Sequence, residues 1–118
     1  MRERGNLGED IAKEYLQSKG FKILESQYFA RVGEIDIVAE RAGKLHFVEV
    51  KARSSAAFGY PEEAVTEKKA ERIRKAVGLY LERHKITHQN YQIDLVAIEL
   101  ELESRKARVR HIECAIGE

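Results

Sequence analysis

Hydrophobic and polar positions repeat along the chain with two different periods, which divide it into helices and strands. Apolar residues at spacings of three and four predict helices over roughly Arg4 to Lys19 and Glu62 to Arg83. Alternating or β-branched segments bounded by turn residues predict strands. The predicted strands are Phe21 to Phe29, Val32 to Ala39, Leu45 to Arg53, Tyr91 to Glu101 and Lys106 to Glu113. The order is therefore αβββαβ with one further strand at the end.

The long second helix decides how the strands assemble. It connects the strand Leu45 to Arg53 with the strand Tyr91 to Glu101, and a helical crossover lets two such strands run parallel. We therefore predict an α/β fold with a mixed β-sheet flanked by helices. The length of 118 residues leaves room for one core, so we expect one domain over residues 1–118.

A short hairpin in the middle of the chain brings acidic residues together. The segment Arg41 to Lys44 contains the glycine that a tight turn requires, and it separates two strand-like segments. If the turn is symmetric about this centre and has two or four residues, the numbers of any two residues that pair across the hairpin add up to the same value. Asp36 then lies opposite Glu49, and Glu34 lies opposite Lys51. A three-residue turn would shift this register, so the prediction depends on the loop.

Residues directly opposite on adjacent strands share a face, so these four side chains form one polar cluster. The opposite, apolar face is predicted to comprise Ile35, Ile37, Val48 and Val50. Two close carboxylates repel unless a shared proton, a cation or basic neighbours neutralise them, and Lys51 supplies one positive charge. A hard divalent ion such as Mg²⁺ binds carboxylate and carbonyl oxygens and water. Because a lysine could orient water or stabilise a phosphorane-like transition state, the cluster points to phosphodiester hydrolysis.

The same four residues have a simpler explanation. Glu34 and Lys51 could form an ordinary cross-strand ion pair, with Asp36 and Glu49 solvated at the open end of the hairpin. The face that carries Glu49 begins apolar at Leu45 and becomes charged only towards the C-terminal end of the strand. Open α/β sheets bind ligands at that end, which favours the metal site.

The first predicted helix carries one candidate site residue. Its buried stripe is predicted to comprise Leu7, Ile11 and Tyr15, widened by Ala12 and Leu16. Glu9 lies on the flank of Ala12 and Leu16, so its carboxylate could lean over the edge of the sheet. Alternatively, an acid in the first turn only stabilises the helix through its dipole.

The second predicted helix carries a basic stripe beside its apolar one. The apolar stripe comprises Ile73, Ala76, Val77, Tyr80 and Leu81. Lys68, Arg72 and Lys75 align on another face, where they could bind nucleic-acid phosphates. They could equally form a solvated flank paired with Glu67 and Glu71. The two interpretations are left open by the pattern.

Composition restricts the possible functions. A net charge of +1 excludes a protein attracted to nucleic acid over its whole surface, so any such site must be local. The single cysteine, Cys114, excludes an intramolecular disulfide framework. The charged start, Met1 to Arg4, does not resemble a signal peptide, and no apolar run could span a bilayer. A cytoplasmic location without membrane contact is expected.

Two features have more than one interpretation. The small-residue loop Ser54 to Tyr60 carries Phe58 and Tyr60, which could stack on an unpaired base or anchor the loop to the core. Asp94 lies in the sequence Ile-Asp-Leu-Val-Ala, which echoes the segment around Asp36. It could support the acidic site or simply end a strand.

Several short segments together resemble a known family. They are Gly5 to Leu16, Gly33 to Val38, Phe47 to Arg53, Phe58 to Val65 with Lys68, and Ile93 to Val96. This set resembles the YraN-like proteins of bacteria, which are similar to Holliday-junction resolvases within the PD-(D/E)XK nuclease superfamily. The resemblance implies a restriction endonuclease-like αβββαβ core. The proline that nominally precedes the first acid in the superfamily is absent before Asp36, at a position that varies widely.

The resemblance also implies roles for individual residues. Asp36 and Glu49 match the metal-binding acids, and Lys51 matches the lysine of the motif. Glu9 matches the additional acid of resolvase-like members, and the carbonyl of Val50 is a further expected metal ligand. Mg²⁺ or Mn²⁺ is the expected cofactor. The predicted nucleic-acid-binding residues are Lys68, Arg72, Lys75 and Arg53. A resolvase-like role favours a symmetric homodimer, and activity could require a protein partner.

These observations predict a metal-dependent nuclease acting on DNA, with branched or single-stranded structures as candidate substrates. The alternative is a non-catalytic nucleic-acid-binding or assembly module that retains the nuclease fold. A third candidate is a structural interaction protein, for which charge reversal at Lys68 and Arg72 should have no effect. Stabilisation by metal that is lost in Asp36→Asn distinguishes the first candidate from the others.

Overall fold

The computed structural model describes residues 6–54, 59–87, 90–101 and 103–117. Its helices are α1 (Asn6–Ser18), a short 3₁₀ helix (Pro61–Ala64) and α2 (Glu67–Arg83), and its strands are β1 (Lys22–Ala30), β2 (Gly33–Arg41), β3 (Lys44–Ser54), β4 (Tyr91–Glu101) and β5 (Lys106–Ile116). The predicted order of one helix, three strands, one long helix and two strands is confirmed. None of the helices in these ranges has the length and hydrophobicity needed to cross a membrane.

The strands in the described ranges form one sheet in the order β1-β2-β3-β4-β5. β3 and β4 run parallel and are joined by α2, whereas the other neighbouring pairs are antiparallel. One core cluster contains Ile73, Val77 and Tyr80 of α2, and the other contains Ala12 and Leu16 of α1. The predicted α/β fold with a mixed sheet and a helix on each face is therefore confirmed.

The hairpin between β2 and β3 has the predicted register. Arg41 pairs with Lys44, so the turn between them has two residues, Ala42 and Gly43. The φ values of these two turn residues are 53° and 77°. Two successive residues with positive φ form the turn whose twist suits a hairpin. The pairing continues without a shift to Ile37 opposite Val48. The two candidate metal-binding acids follow directly after this last pair.

α2 begins later than its sequence pattern predicted. The predicted helix started at Glu62, but Pro61–Ala64 forms a separate 3₁₀ helix and α2 starts at Glu67. Thr66 has an extended backbone, and its side-chain oxygen accepts a hydrogen bond of 3.2 Å from the N–H of Lys69. Threonine is a favoured residue at this position because it satisfies a backbone donor of the first turn. Thr66 therefore sets the start of α2.

α1 is rotated relative to the prediction. Leu7 is 57% exposed rather than buried, whereas Ala12 and Leu16 are fully buried. A Cβ atom added to Gly8 would lie 3.2 Å from the Cβ of Ala52 on β3. Because glycine has no side chain, α1 can approach the sheet closely on this side. The rotation turns Leu7 away from the core and places Glu9, only 8% exposed, against the sheet.

The side chains of β2 stop alternating regularly between the two faces of the sheet at Asp36. Ile37 packs with Val48 in the cluster under α1, as predicted, but Ile35 packs in the cluster under α2. The register places Gln27 of β1 opposite Asp36, and Gln27 has a φ of 55°. This break in the strand geometry interrupts the alternation of faces. The prediction that Ile35 and Ile37 share a face is therefore wrong.

Candidate metal centre

β2 and β3 separate beyond their hairpin, and the gap between them forms a cleft. In the described residues their pairing ends at Ile37 and Val48, after which β2 stays paired with β1 and β3 with β4. The cleft has a volume of about 630 Å³ and is lined by both strands and by the first turns of α1 and α2. The acidic candidates and their neighbours Glu9, Glu34, Asp36, Glu49, Val50 and Lys51 all line it.

Three carboxylates converge in this cleft on the side of α1. Glu9, Glu34 and Asp36 each place an oxygen within 4.8 Å of the others. Glu9 accepts a hydrogen bond of 3.3 Å from Nε2 of Gln27. Asp36 accepts one of 2.8 Å from the N–H of Val50, which connects the two strands after they have separated. This acidic cluster could hold a metal ion.

Glu49 and Lys51 line the same cleft from β3. Lys51 Nζ lies 3.2 Å from Glu49 Oε2, and the two side chains are 25% and 14% exposed. The carboxyl groups of Glu49 and Asp36 are close enough to share a hydrogen bond, in line with their predicted positions across the hairpin. The predicted pairing of Glu34 with Lys51 is wrong, because the strands separate before these residues are reached.

The electrostatics of the cleft favour a bound cation. Burial and the charge of Glu49 raise the pKa of Asp36 to about 8, and Glu9 and Glu34 act in the same direction. Burial also raises the pKa of Glu49, although Lys51 opposes this shift. Carboxylates that repel in a partly buried site retain a proton near neutral pH. A divalent cation could replace that proton.

α2 contributes a basic wall to the same cleft. Lys69 and Arg72 line it, and a Cβ on Gly33 would lie only 3.2 Å from the Arg72 carbonyl oxygen, so α2 approaches β2 closely here. Of the predicted stripe, Arg72 lies in the cleft, whereas Lys68 and Lys75 are exposed and lie outside its lining. The sequence prediction missed Lys69. Its position one turn before Arg72, on the side of the buried stripe, was the available signal.

The acids predicted to pair with this stripe bind another residue. Oxygens of Glu67 and Glu71 lie 2.9 Å and 3.0 Å from Nη1 of Arg74. Within the part of the chain that the structure describes, Lys69 and Arg72 form no ion pair with a carboxylate. Their positive charges can therefore act on an anion that enters the cleft.

Arg53 and Tyr60, two residues that the sequence prediction singled out beyond Lys51, lie outside the cleft lining. Arg53 is half-buried on β3, two residues further along, and is not part of the cleft lining. Tyr60 is 57% exposed, and the guanidinium carbon of Arg110 lies 5.3 Å from its ring centre. Phe58 is outside the described residues, so the structure informs only the Tyr60 half of the predicted aromatic pair.

Asp94 belongs to a separate, buried cluster. It accepts hydrogen bonds from His46 Nδ1 at 2.7 Å, His111 Nε2 at 2.8 Å, Gln92 Nε2 at 2.8 Å and the Cys114 N–H at 2.9 Å. Burial alone would raise the pKa of Asp94, but these hydrogen bonds lower it to about 2. Asp94 neither lines the acidic cleft nor ends a strand, which answers the question that its sequence context left open.

The fold and the site together define a class of protein. It is a small α/β protein whose described strands form a mixed five-stranded sheet. Beside the point where β2 and β3 diverge, residues of β2 and α1 form an acidic cluster that could bind a metal ion. A helix on each face contributes to the cleft, with an acid from α1 and two basic residues from α2.

The chain belongs to the uncharacterised protein family UPF0102, whose model matches residues 8–98. It is 42% identical to a UPF0102 protein of Alkaliphilus oremlandii over 111 residues, which cover 94% of this chain and 95% of the relative. A UPF0102 protein of Syntrophomonas wolfei is 43% identical over 111 residues, with the same coverage. One of Caldicellulosiruptor saccharolyticus is 34% identical over 114 residues, 97% of both chains. The matched range includes all the candidate metal ligands of the acidic cleft.

Proposed function

We propose that this protein is a metal-dependent nuclease that hydrolyses phosphodiester bonds in DNA. The observation that carries the proposal is the convergence of Asp36, Glu49 and Lys51 in one cleft whose opposite wall is basic. Carboxylates suit a divalent cation, and basic side chains suit the phosphates of a nucleic acid. The combination fits a reaction on a phosphate that needs a metal ion.

The donor atoms of the cleft fit Mg²⁺ or Mn²⁺. The proposed ligands are the carboxylates of Asp36, Glu49 and Glu9 together with the carbonyl of Val50, all of them oxygen donors. Hard divalent cations prefer such oxygens. The raised pKa of Asp36 supports the same conclusion, because a cation would relieve the repulsion that holds the proton there. When bound, such an ion polarises the phosphoryl group and lowers the pKa of a coordinated water.

The residues of the chain would have separate tasks in this reaction. Asp36 is oriented by the N–H of Val50, so its position does not depend on an ion. Lys51 lies where its ammonium group could stabilise negative charge that develops on the phosphate. Lys69 and Arg72 on the opposite wall would bind neighbouring phosphates and align the scissile bond.

The resemblance to Holliday-junction resolvases supports DNA as the substrate. Resolvase-like proteins carry an additional acid in their opening helix, and Glu9 occupies that position in α1. The order of helices and strands agrees with the restriction endonuclease-like core that the resemblance implies. Branched or single-stranded DNA is therefore the expected form of the substrate, and a symmetric homodimer would present two clefts to a junction.

A cleavage assay tests this function. Labelled duplex, single-stranded and four-way-junction DNA, and RNA, are incubated with the protein in Mg²⁺ or Mn²⁺. The wild type should cleave at least one of these substrates, and Asp36→Asn and Lys51→Ala should each lose about 100-fold or more in rate. Lys68→Ala removes a positive charge just outside the cleft and is the matched control, with a rate close to that of the wild type.

The two negative outcomes have different meanings. Nucleic-acid binding without cleavage in any metal would favour the alternative, a non-catalytic module that retains the fold. Cleavage at equal rates by the wild type and Asp36→Asn would contradict the assignment of the acidic cleft as the active site.

A further inference from the structure

Two histidines and an aspartate meet inside the sheet, on the face that α1 covers. His46 lies on β3, Asp94 on β4 and His111 on β5, and their side chains are 4%, 0% and 9% exposed. One potential ligand atom of each lies within 4.8 Å of the other two. Because the residues come from three adjacent strands, the register of the sheet holds them in place.

The two oxygens of Asp94 have different partners. Oδ2 faces both imidazoles, with His46 Nδ1 at 2.7 Å and His111 Nε2 at 2.8 Å. Oδ1 accepts hydrogen bonds from Gln92 Nε2 at 2.8 Å and from the Cys114 N–H at 2.9 Å. One oxygen therefore anchors the carboxylate and the other is directed at the two rings. Hydrogen bonds from surrounding groups to a metal-binding side chain commonly orient that side chain.

We propose that this cluster binds a borderline transition metal such as Zn²⁺, with His46 Nδ1, His111 Nε2 and Asp94 Oδ2 as its ligands. Imidazole nitrogen and carboxylate oxygen are among the usual protein ligands of Zn²⁺. Mg²⁺ prefers oxygen ligands and retains several waters, so it is not the expected ion at this buried, nitrogen-rich position.

Metal binding requires only a small rearrangement. Zinc bonds to nitrogen and oxygen of about 2.0–2.2 Å place tetrahedral ligand atoms roughly 3.3 Å apart. The present separations of 2.7 Å and 2.8 Å would therefore increase by about half an ångström. To coordinate the ion, each imidazole presents the lone pair of the named nitrogen and carries its ring proton on the other nitrogen. At Oδ2 of Asp94, the ion then takes the place of the hydrogen bonds from His46 Nδ1 and His111 Nε2.

The surroundings shield the proposed site from solvent. Phe21 packs edge-on against both imidazoles, with ring centres 4.7 Å from His46 and 5.6 Å from His111. The guanidinium carbon of Arg41 lies 4.2 Å from the centre of the Phe21 ring and adds a further layer. The three protein ligands leave the fourth position of a tetrahedral ion to a water molecule, and the ion would stabilise the fold by joining three strands. It would attach the edge strand β5 to β4 and β3.

Zn²⁺ alone, added to the full-length protein after treatment with a chelator, tests the proposal. The melting temperature should rise by about 10 °C at a Zn²⁺ concentration one hundred times the dissociation constant. His111→Gln should abolish this shift, whereas His84→Gln, which changes a histidine on the opposite side of the sheet, should retain it. Asp36→Asn and Cys114→Ser should also retain it, which excludes the acidic cleft and the exposed thiol as the Zn²⁺ site.

A spectrum of the wild type keeps the test decisive if His111→Gln fails to fold. Co²⁺ in a tetrahedral site of nitrogen and oxygen ligands absorbs strongly in the visible range, and Zn²⁺ should remove that absorption by displacement. A Zn²⁺ shift that survives His111→Gln, or one that is lost in Asp36→Asn, would overturn the proposal. The absence of both a Zn²⁺ shift and a Co²⁺ spectrum in the wild type would overturn it as well.

Discussion

Two aspartates in nearly identical local sequences have opposite surroundings in this protein. Asp36 lies in Ile-Asp-Ile-Val-Ala and Asp94 lies in Ile-Asp-Leu-Val-Ala. Burial and the charge of Glu49 raise the pKa of Asp36 to about 8. Although burial acts in the same direction on Asp94, hydrogen bonds led by that of His111 lower its pKa to about 2. Partners from other strands, rather than the local sequence, therefore determine the charge of each aspartate.

The kind of partner explains the difference. Around Asp36, the carboxylates of Glu9, Glu34 and Glu49 accumulate negative charge in a cleft that is open to solvent. Asp94, in contrast, is the acceptor in each hydrogen bond that the structure describes for its carboxylate. The donors are two imidazoles, a side-chain amide and a backbone N–H. The first aspartate lies in a site that a hard cation would stabilise. The second accepts hydrogen bonds from groups on β3, β4 and β5, which stabilise its negative charge.

The largest expected effect of a single substitution is that of Asp94→Asn. The amide cannot accept hydrogen bonds at both of its ends, so buried donors lose their partner. Removing one member of a buried charged network typically costs about 3–5 kcal/mol in the free energy of unfolding, which urea denaturation measures. Asp36→Asn, the same chemical change in the other region, should leave stability in the absence of metal unchanged or increased. Equal destabilisation by the two substitutions would contradict the comparison.

The next largest expected effect is stabilisation by Mg²⁺, which should depend on the acidic cleft around Asp36 and not on the cluster around Asp94. At a concentration one hundred times its dissociation constant, Mg²⁺ should stabilise the wild type by about 2.7 kcal/mol. Asp36→Asn should abolish this stabilisation because it removes a ligand from the acidic cleft. His111→Gln should retain it. Thermal unfolding with and without Mg²⁺ measures both, and a Mg²⁺ effect that is independent of Asp36 would show that the ion binds elsewhere.

The pH dependence of stability should have opposite signs for the two aspartates. Without metal, stability should fall as pH rises from about 4 to about 8, because folded Asp36 retains a proton that the unfolded chain, with a usual pKa of 3.8, has lost. The slope approaches about 1.4 kcal/mol per pH unit. Asp94 should make stability fall as pH drops from 3.8 to about 2, because its folded pKa is depressed.

Urea denaturation across this pH range checks the signs. Asp36→Asn should remove the fall in stability above pH 4, and Mg²⁺ should reduce it in the wild type. A wild-type profile that is flat from pH 4 to pH 8, and that matches the profile of Asp36→Asn, would contradict the raised pKa.

The smallest expected effect concerns the basic wall of the cleft. Lys69→Ala should weaken binding of single-stranded DNA about fivefold, because one phosphate contact is lost, and it should reduce the salt dependence of binding. Lys75→Ala, on the same helix but outside the cleft lining, is the control and should have a smaller effect. Fluorescence anisotropy at several salt concentrations measures both. Equal losses would show that the DNA follows the whole exposed stripe of α2.

The local features of the site could be predicted from the sequence. The register of the hairpin was confirmed from Arg41 opposite Lys44 to Ile37 opposite Val48, because the segment around Gly43 forms one of the symmetric turns that the prediction allowed. Asp36 and Glu49 were therefore placed correctly beside each other. Of the two interpretations of Glu9 that the sequence left open, its burial against the sheet agrees with the one based on the helical face that it shares with Ala12.

Features that depend on tertiary packing could not be predicted in this way. The separation of β2 from β3 removed the expected pairing of Glu34 with Lys51, and no local pattern indicates where two strands diverge. Lys69 is a different case, because its position one turn before Arg72 on the side of the buried stripe was a signal that the sequence prediction did not use. Three of the four partners of Asp94, namely His46, His111 and Cys114, lie on other strands, up to 48 residues away along the chain.

The measurement that tests the central claim most directly is a titration of the Asp36 side chain by carbon-13 NMR, with and without Mg²⁺. We expect a pKa near 8 in the absence of metal and a pKa several units lower in its presence, because the ion replaces the proton. Asp94 should keep its low pKa in both conditions. An Asp36 pKa that stays the same when Mg²⁺ is added would contradict the assignment of the acidic cleft as a metal centre.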